Sequence, residues 1–215
     1  MAVTGVVFAL FVTVHMVGNL KVYAGAAHFN DYAQWLRTVL EPLLPYEGLL
    51  WALRAVLAVS LVAHVGCSVV LHRRARRARG PFRRKGLGVR TFGARTMPVT
   101  GLVLLLFIAF HILDLTTGTA PVAGAGYASA TRSESFAYQN LVASFERPLV
   151  STFYLLAMAV LGLHLAHGLL SVVNDLGAAD HRVRQAGAAI GGTLAGIVFV
   201  GNASIPIAVL TGLVR

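Results

Sequence analysis

Leu161-Gly162-Leu163-His164-Leu165-Ala166-His167-Gly168 sits inside an apolar run, residues 149–173, that contains no Asp, Glu, Lys or Arg. A helix needs about 20 such residues to cross the hydrocarbon of a bilayer, so the run predicts a membrane-spanning helix. An imidazole in its interior is costly there and needs a reason. Four further runs qualify as spans, near 2–23, 48–71, 97–118 and 187–213. Three of these carry an interior histidine: His15, His64 and His111. Gly and Ala recur within the runs, as expected where membrane helices pack closely. Pro98 stands where a helix-starting proline is tolerated.

The composition agrees. Of 215 residues, 57% are apolar and 12% charged, about half the charge of an ordinary soluble domain. A formal charge of +10 does not suggest a nucleic-acid binder when combined with this hydrophobicity. The single thiol, Cys67, excludes an internal disulfide, a Cys-based zinc site and an iron–sulfur cluster held by this chain alone. The expected fold is an all-α integral membrane protein, one five-helix domain over 1–215. No internal repeat, linker or second domain is visible.

Charge orients the bundle. Sixteen of the 18 basic residues are arginine, and ten of the 18 fall between the second and third spans: Arg73, Arg74, Arg76, Arg77, Arg79, Arg83, Arg84, Lys85, Arg90 and Arg95. Arg182 and Arg184 lie between the fourth and fifth spans. The positive-inside rule places both loops, and with them the N-terminus, in the cytoplasm and the C-terminus outside. The arginine run reads as a topology signal touching anionic lipid, as a docking surface for a cytoplasmic partner, or as both.

With that topology the four histidines sort by depth. At about 1.5 Å of rise per residue, His15 and His111 lie roughly 20 Å from the cytoplasmic side. His64 and His164 lie roughly 8 Å from it in a core about 30 Å thick. Two level pairs result, one joining the first and third helices and one joining the second and fourth. Two facing imidazoles at one level suit a six-coordinate b haem. Two haems about 12 Å apart in depth would form an electron wire across the membrane. Gly18, Gly66, Gly162 and Gly168 leave room for a flat macrocycle. The alternatives are histidines that only hydrogen-bond neighbouring helices, or a histidine-lined metal path.

Other polar groups fall near these levels. Arg54, about six residues into its span, is read as the partner of a haem propionate or as snorkelling to the interface. Arg95 and the arginines after His72 stand ready for the other haem. Asp114, one turn beyond His111, would orient that ligand, exchange protons with a quinone, or face the outer water layer. His167 shares a helix face with His164.

Taken together, the motifs resemble a known family: the cytochrome b membrane subunit of bacterial succinate:quinone oxidoreductases, the five-helix, di-haem, single-anchor kind, with the actinobacterial enzymes nearest. The resemblance is carried by Met1-Ala2-Val3-Thr4-Gly5 through His15-Met16-Val17-Gly18-Asn19, then Phe29-Asn30-Asp31-Tyr32, Leu53-Arg54 to His64, and Arg95-Thr96-Met97 with Thr100-Gly101 to His111. Tyr154 with the His164 stretch and Gly201-Asn202-Ala203-Ser204-Ile205-Pro206 complete it.

The resemblance implies a subunit of succinate dehydrogenase (complex II) in the bacterial cell membrane. It would anchor a flavoprotein and an iron–sulfur subunit and pass electrons to menaquinone through two b haems. His64 and His164 would ligate the haem nearer the iron–sulfur subunit, and His15 and His111 the other. Menaquinone would bind near the outer face, with Tyr46 and Glu47, and behind them Glu41 and Asp31, as proton-handling candidates. In some relatives a Glu two residues before the fourth-helix histidine supports a proton path; here that position is Gly162. Relatives usually carry a short basic segment before the first helix, where this chain opens directly on it. Rival readings are a di-haem cytochrome of another respiratory complex, such as a nitrate reductase, a haem-free anchor, and a small-solute or metal transporter.

Overall fold

The computed structural model describes residues 1–79, 89–177 and 180–215, and of residues 79 and 89–94 the backbone only. All regular structure among them is helical. Helix α1 (Ala2–Asn19) continues as a 3₁₀ turn to Ala24 and reverses at Gly25, φ +93°. There follow α2 (Ala26–Thr38), α3 (Gly48–Arg79), α4 (Val89–His111) with a π-helical turn over Ile112–Thr116, α5 (Ala137–Phe145), α6 (Pro148–Asp175) and α7 (His181–Leu210).

Five helices are long and apolar enough to cross a membrane: Ala2–Ala24, Gly48–Ala78, Arg95–Thr116, Pro148–Asp175 and His181–Leu210. The protein is a multi-pass, all-helical membrane protein. All five expected spans are present, but their arginine-bearing ends run further than hydropathy indicates. Arg73, Arg74, Arg76 and Arg77 continue α3 rather than forming a loop, and Arg182 and Arg184 lie in the first turns of α7. Arginine and alanine are strong helix formers, so the helix persists after the apolar run has ended. Arginines at the end of α3 also complement its C-terminal dipole. Asp180 caps α7, its Oδ1 accepting the Arg182 N–H at 2.6 Å. Because α4 starts at Val89, Pro98 lies inside it and not at its first position. Residues 80–88, with Arg83, Arg84 and Lys85, lie outside the described residues, as do the side chains of Arg79 and Arg90.

Helices α6 and α7 form the most extensive pairing; α4 packs on α6, α1 on α3, α6 and α7, and α3 on α1 and α2. Small residues of α7 make the close approaches. A Cβ at Gly191 would come within 2.9 Å of Leu169 Cβ, at Gly187 within 2.7 Å of Val173, and at Gly201 within 2.6 Å of the Met16 sulfur. Gly191→Val is therefore expected to destabilise by about 1–3 kcal/mol through overpacking. Gly192→Ala, whose Cβ meets nothing within 4 Å, leaves stability unchanged. The thermal midpoint of the detergent-solubilised protein distinguishes them, and equal midpoints would contradict the assigned α6–α7 face.

Two elements absent from the sequence expectation build the end opposite the arginines. Helices α2 and α5 are too short and too polar to span, yet they carry core residues: Phe29 from α2, and Tyr138, Leu141, Val142 and Phe145 from α5. With Val22, Tyr154, Ile205 and Val209 they form the larger apolar cluster, while Ala9, Met16, Leu165, Ala195 and Val198 form a smaller one among α1, α6 and α7. Leu10, Val59, Leu106, Leu156 and Ile197 are exposed along the spans, a surface suited to lipid.

Candidate functional site

The far pair, away from the arginines, meets directly. The ring centroids of His15 on α1 and His111 on α4 are 5.9 Å apart, with planes at 79°. Phe11, one turn before His15, stacks on it at 5.3 Å, and Phe107, one turn before His111, lies 5.8 Å from that ring. Two imidazoles bound to one metal by bonds of about 2 Å have ring centres roughly 6 Å apart. The pair thus fits bis-histidine ligation of a single iron.

Behind His111 lies a buried polar cluster. The Tyr154 hydroxyl donates to Asp114 Oδ2 at 2.9 Å and makes a longer contact, 3.4 Å, with His111 Nδ1. The Asp114 side chain is fully buried. It accepts from Arg147 Nη2 at 2.6 Å and from Ser144 Oγ at 2.5 Å, and Arg147 Nη1 donates to the Val122 carbonyl. Of the three roles expected for Asp114, facing the outer water is ruled out by this burial. Its link to His111 is indirect, through Tyr154. The π-helical turn directly after His111 sets this geometry by offsetting Asp114 from the α-helical register. Arg147, Ser144 and the Tyr154 hydroxyl escaped the sequence reading because nothing local pairs residues 30 or more positions apart.

The near pair is seated differently. His64 Nδ1 lies 3.0 Å from Thr4 Oγ1, and His164 Nδ1 lies 2.9 Å from Thr100 Oγ1. A Cβ at Gly5 would meet His64 Cε1 at 3.9 Å, and one at Gly101 would meet His164 Cε1 at 3.6 Å. Thr4 and Thr100 stand eleven residues before His15 and His111, about 16 Å of helix rise. That is somewhat more than the 12 Å expected between levels. A Cβ at Gly66 or Gly168 would meet nothing within 4 Å. Gly18 and Gly162 differ: Gly18 receives the Tyr32 ring and Gly162 packs on Phe199 of α7.

The sequence does contain an internal repeat. Thr4-Gly5-Val6-Val7-Phe8-Ala9-Leu10-Phe11-Val12-Thr13-Val14-His15 and Thr100-Gly101-Leu102-Val103-Leu104-Leu105-Leu106-Phe107-Ile108-Ala109-Phe110-His111 share Thr, Gly, Val, Leu, Phe and His in one register. Apolar interchange hides it until the contacts mark which positions matter.

Arg54 is expected to pair with a haem propionate or to snorkel to the interface, because an unpaired guanidinium in the membrane is expensive. The structure provides other partners: Glu47 Oε2 at 3.6 Å and the Trp51 ring at 4.8 Å. Glu47 also accepts from Arg37 Nε at 3.1 Å and has φ +62°, a left-handed conformation that is costly for a non-glycine residue. Tyr46 donates to the Thr131 carbonyl and lies under the Arg132 guanidinium, which is 3.9 Å from Glu41. Burial raises the Tyr127 phenol above its ordinary pKa, partly offset by Arg37. Asp31 and Arg95 are exposed, the latter near the start of its span, and His167 is half-buried on α6.

No curated protein and no solved structure matches the chain. A family model does match, over residues 72–201, from the end of α3 through most of α7 and including His111 and His164. That stretch is more than half of the chain, and the chain's five candidate spans suit a membrane subunit. The chain belongs to the succinate dehydrogenase/fumarate reductase transmembrane subunit family.

Proposed function

We propose that this chain is the membrane-anchor cytochrome b of a succinate:menaquinone oxidoreductase in the bacterial cell membrane. In this reading it is one domain over its whole length, with the N-terminus cytoplasmic and the C-terminus outside. The observation that carries the reading is the direct meeting of His15 and His111 across α1 and α4, on the helices that also seat His64 and His164. Two b haems, when bound, supply one-electron carriers between an iron–sulfur subunit and quinone. His64 with His164, and His15 with His111, hold their irons. Arg95 and the arginines closing α3 face the flavoprotein and iron–sulfur subunits and the anionic lipid around them. At the opposite end the cluster of Tyr46, Glu47, Arg37 and Arg54 offers hydroxyl, carboxylate and guanidinium groups to menaquinone and its protons, with Glu41 and Asp31 leading to water.

In this topology electrons leave the cytoplasmic side and protons are taken up outside, so turnover moves charge through the field. One charge crossing 100 mV is worth about 2.3 kcal/mol. An inside-negative potential drives electrons outward, so dissipating it is expected to slow succinate-driven menaquinone reduction several-fold in intact vesicles. An unchanged rate would contradict quinone reduction at the outer face.

A further inference from the structure

We propose that the repeated Thr-Gly steps, Thr4-Gly5 on α1 and Thr100-Gly101 on α4, are matched positioning seats that fix the tautomer and orientation of His64 and His164. This deepens the reading of those histidines as haem ligands and rests on it.

Hydrogen-bond supply sets the tautomer. A threonine hydroxyl has one proton to donate and two lone pairs. Thr4 Oγ1 donates to the Met1 carbonyl at 2.9 Å, and Thr100 Oγ1 donates to the Met97 carbonyl at 3.1 Å, each one turn back along its own helix. With the proton spent there, each hydroxyl oxygen is left to accept. The groups that reach it are His64 Nδ1 at 3.0 Å and His164 Nδ1 at 2.9 Å. The arrangement that satisfies every group places hydrogen on Nδ1 in both imidazoles. Nε2 then keeps its lone pair, as a metal ligand must.

The glycines supply clearance. A bare Cβ at Gly5 would touch Val172 Cγ2 at 3.8 Å and His64 Cε1 at 3.9 Å, and one at Gly101 would touch His164 Cε1 at 3.6 Å, so each glycine leaves its imidazole room beside the threonine. The device occurs twice in the same form: threonine and glycine on α1 serve a histidine of α3, and threonine and glycine on α4 serve a histidine of α6. Each lies eleven residues before a histidine of the other pair. One short sequence unit thus seats one imidazole and supplies another. Among the described residues no threonine meets the far pair in this way; His111 Nδ1 is met by Tyr154 instead, so a change at Thr4 or Thr100 acts on one level alone.

An acceptor on Nδ1–H makes the imidazole a stronger donor to its metal and favours the oxidised iron. Removing the acceptor raises the midpoint potential. The test uses the purified, assembled complex with wild-type haem content measured first, then Thr4→Val, Thr100→Val and the corresponding Thr→Ser variants. Redox titration of the visible bands and low-temperature EPR of the oxidised haems are the readouts. The expected result is that each valine variant shifts the potential of one haem upward and moves one low-spin EPR signal, or loses that haem, while serine restores both and the second haem is unchanged. Valine variants with both potentials and both signals unmoved would overturn the proposal, as would both haems shifting together or serine behaving as valine. Wild-type complex without haem would overturn the ligand reading itself, and this one with it, at the first step.

Discussion

Replacing His111 with alanine in the assembled complex is expected to lower the haem content from two per chain to one. His15→Ala should remove the same haem, and the double variant should lose no more than either single variant. His15 and His111 meet ring to ring, so under the proposed ligation each is half of one ligand set. Among the described residues the rings beside them are Phe107 and Tyr154 at His111 and Phe11 at His15, and the Tyr154 hydroxyl is already engaged by Asp114. His64→Ala and His164→Ala should remove the other haem, leaving the spectrum of the first. Absorption spectra with haem extraction decide this. If His15→Ala and His64→Ala remove the same haem, the assignment of pairs by level is wrong.

The second large effect concerns stability. Asp114 is fully buried and ion-paired with Arg147 at 2.6 Å, and removing one partner of a buried pair typically costs about 3–5 kcal/mol. Arg147 is partly exposed, so Arg147→Ala is expected near the lower end of that range and Asp114→Ala to cost less than Arg147→Ala. The asymmetry follows from what remains. Arg147 without Asp114 still donates to the Val122 carbonyl and reaches water. Asp114 without Arg147 is a buried carboxylate with only the Ser144 and Tyr154 hydroxyls. The double variant should recover part of the loss, because it strands no charge. Tyr154→Phe should cost about 1 kcal/mol and also loosen His111. Thermal midpoints of the solubilised protein order the four variants. Arg147→Ala with a wild-type midpoint would show that the pair does not hold this end of the bundle together.

The spans and the four histidines were legible in the sequence because both signals are local: an apolar run declares its length, and an imidazole inside it stands out. The ends of the helices were not. Arg73 to Arg77 end the hydropathy signal without ending the helix, since arginine suits both helix and water. Helices α2 and α5 were missed for a related reason: they are short, and only tertiary burial of Phe29, Tyr138 and Phe145 against the spans holds them. What faces each histidine was also illegible. Thr4 meets His64, Asp114 meets Arg147, and Glu47 meets Arg54 through the folding of separate helices or turns. Arg54 shows the same limit: depth alone suggests a stranded cation, while Glu47 stands seven positions away at the helix entrance. The repeat was present throughout in the Thr-Gly steps, but its register acquires meaning only when the two threonines are seen to carry out the same task.

In the proposed function two pairs of intramembrane histidines hold two b haems. The most direct measurement is the pyridine haemochrome content of the purified complex per copy of this chain, taken with its reduced-minus-oxidised spectrum. Two b haems per chain are expected. A value of one would contradict one of the two pairs, and a haem-free complex would reduce the chain to an anchor whose histidines serve packing alone.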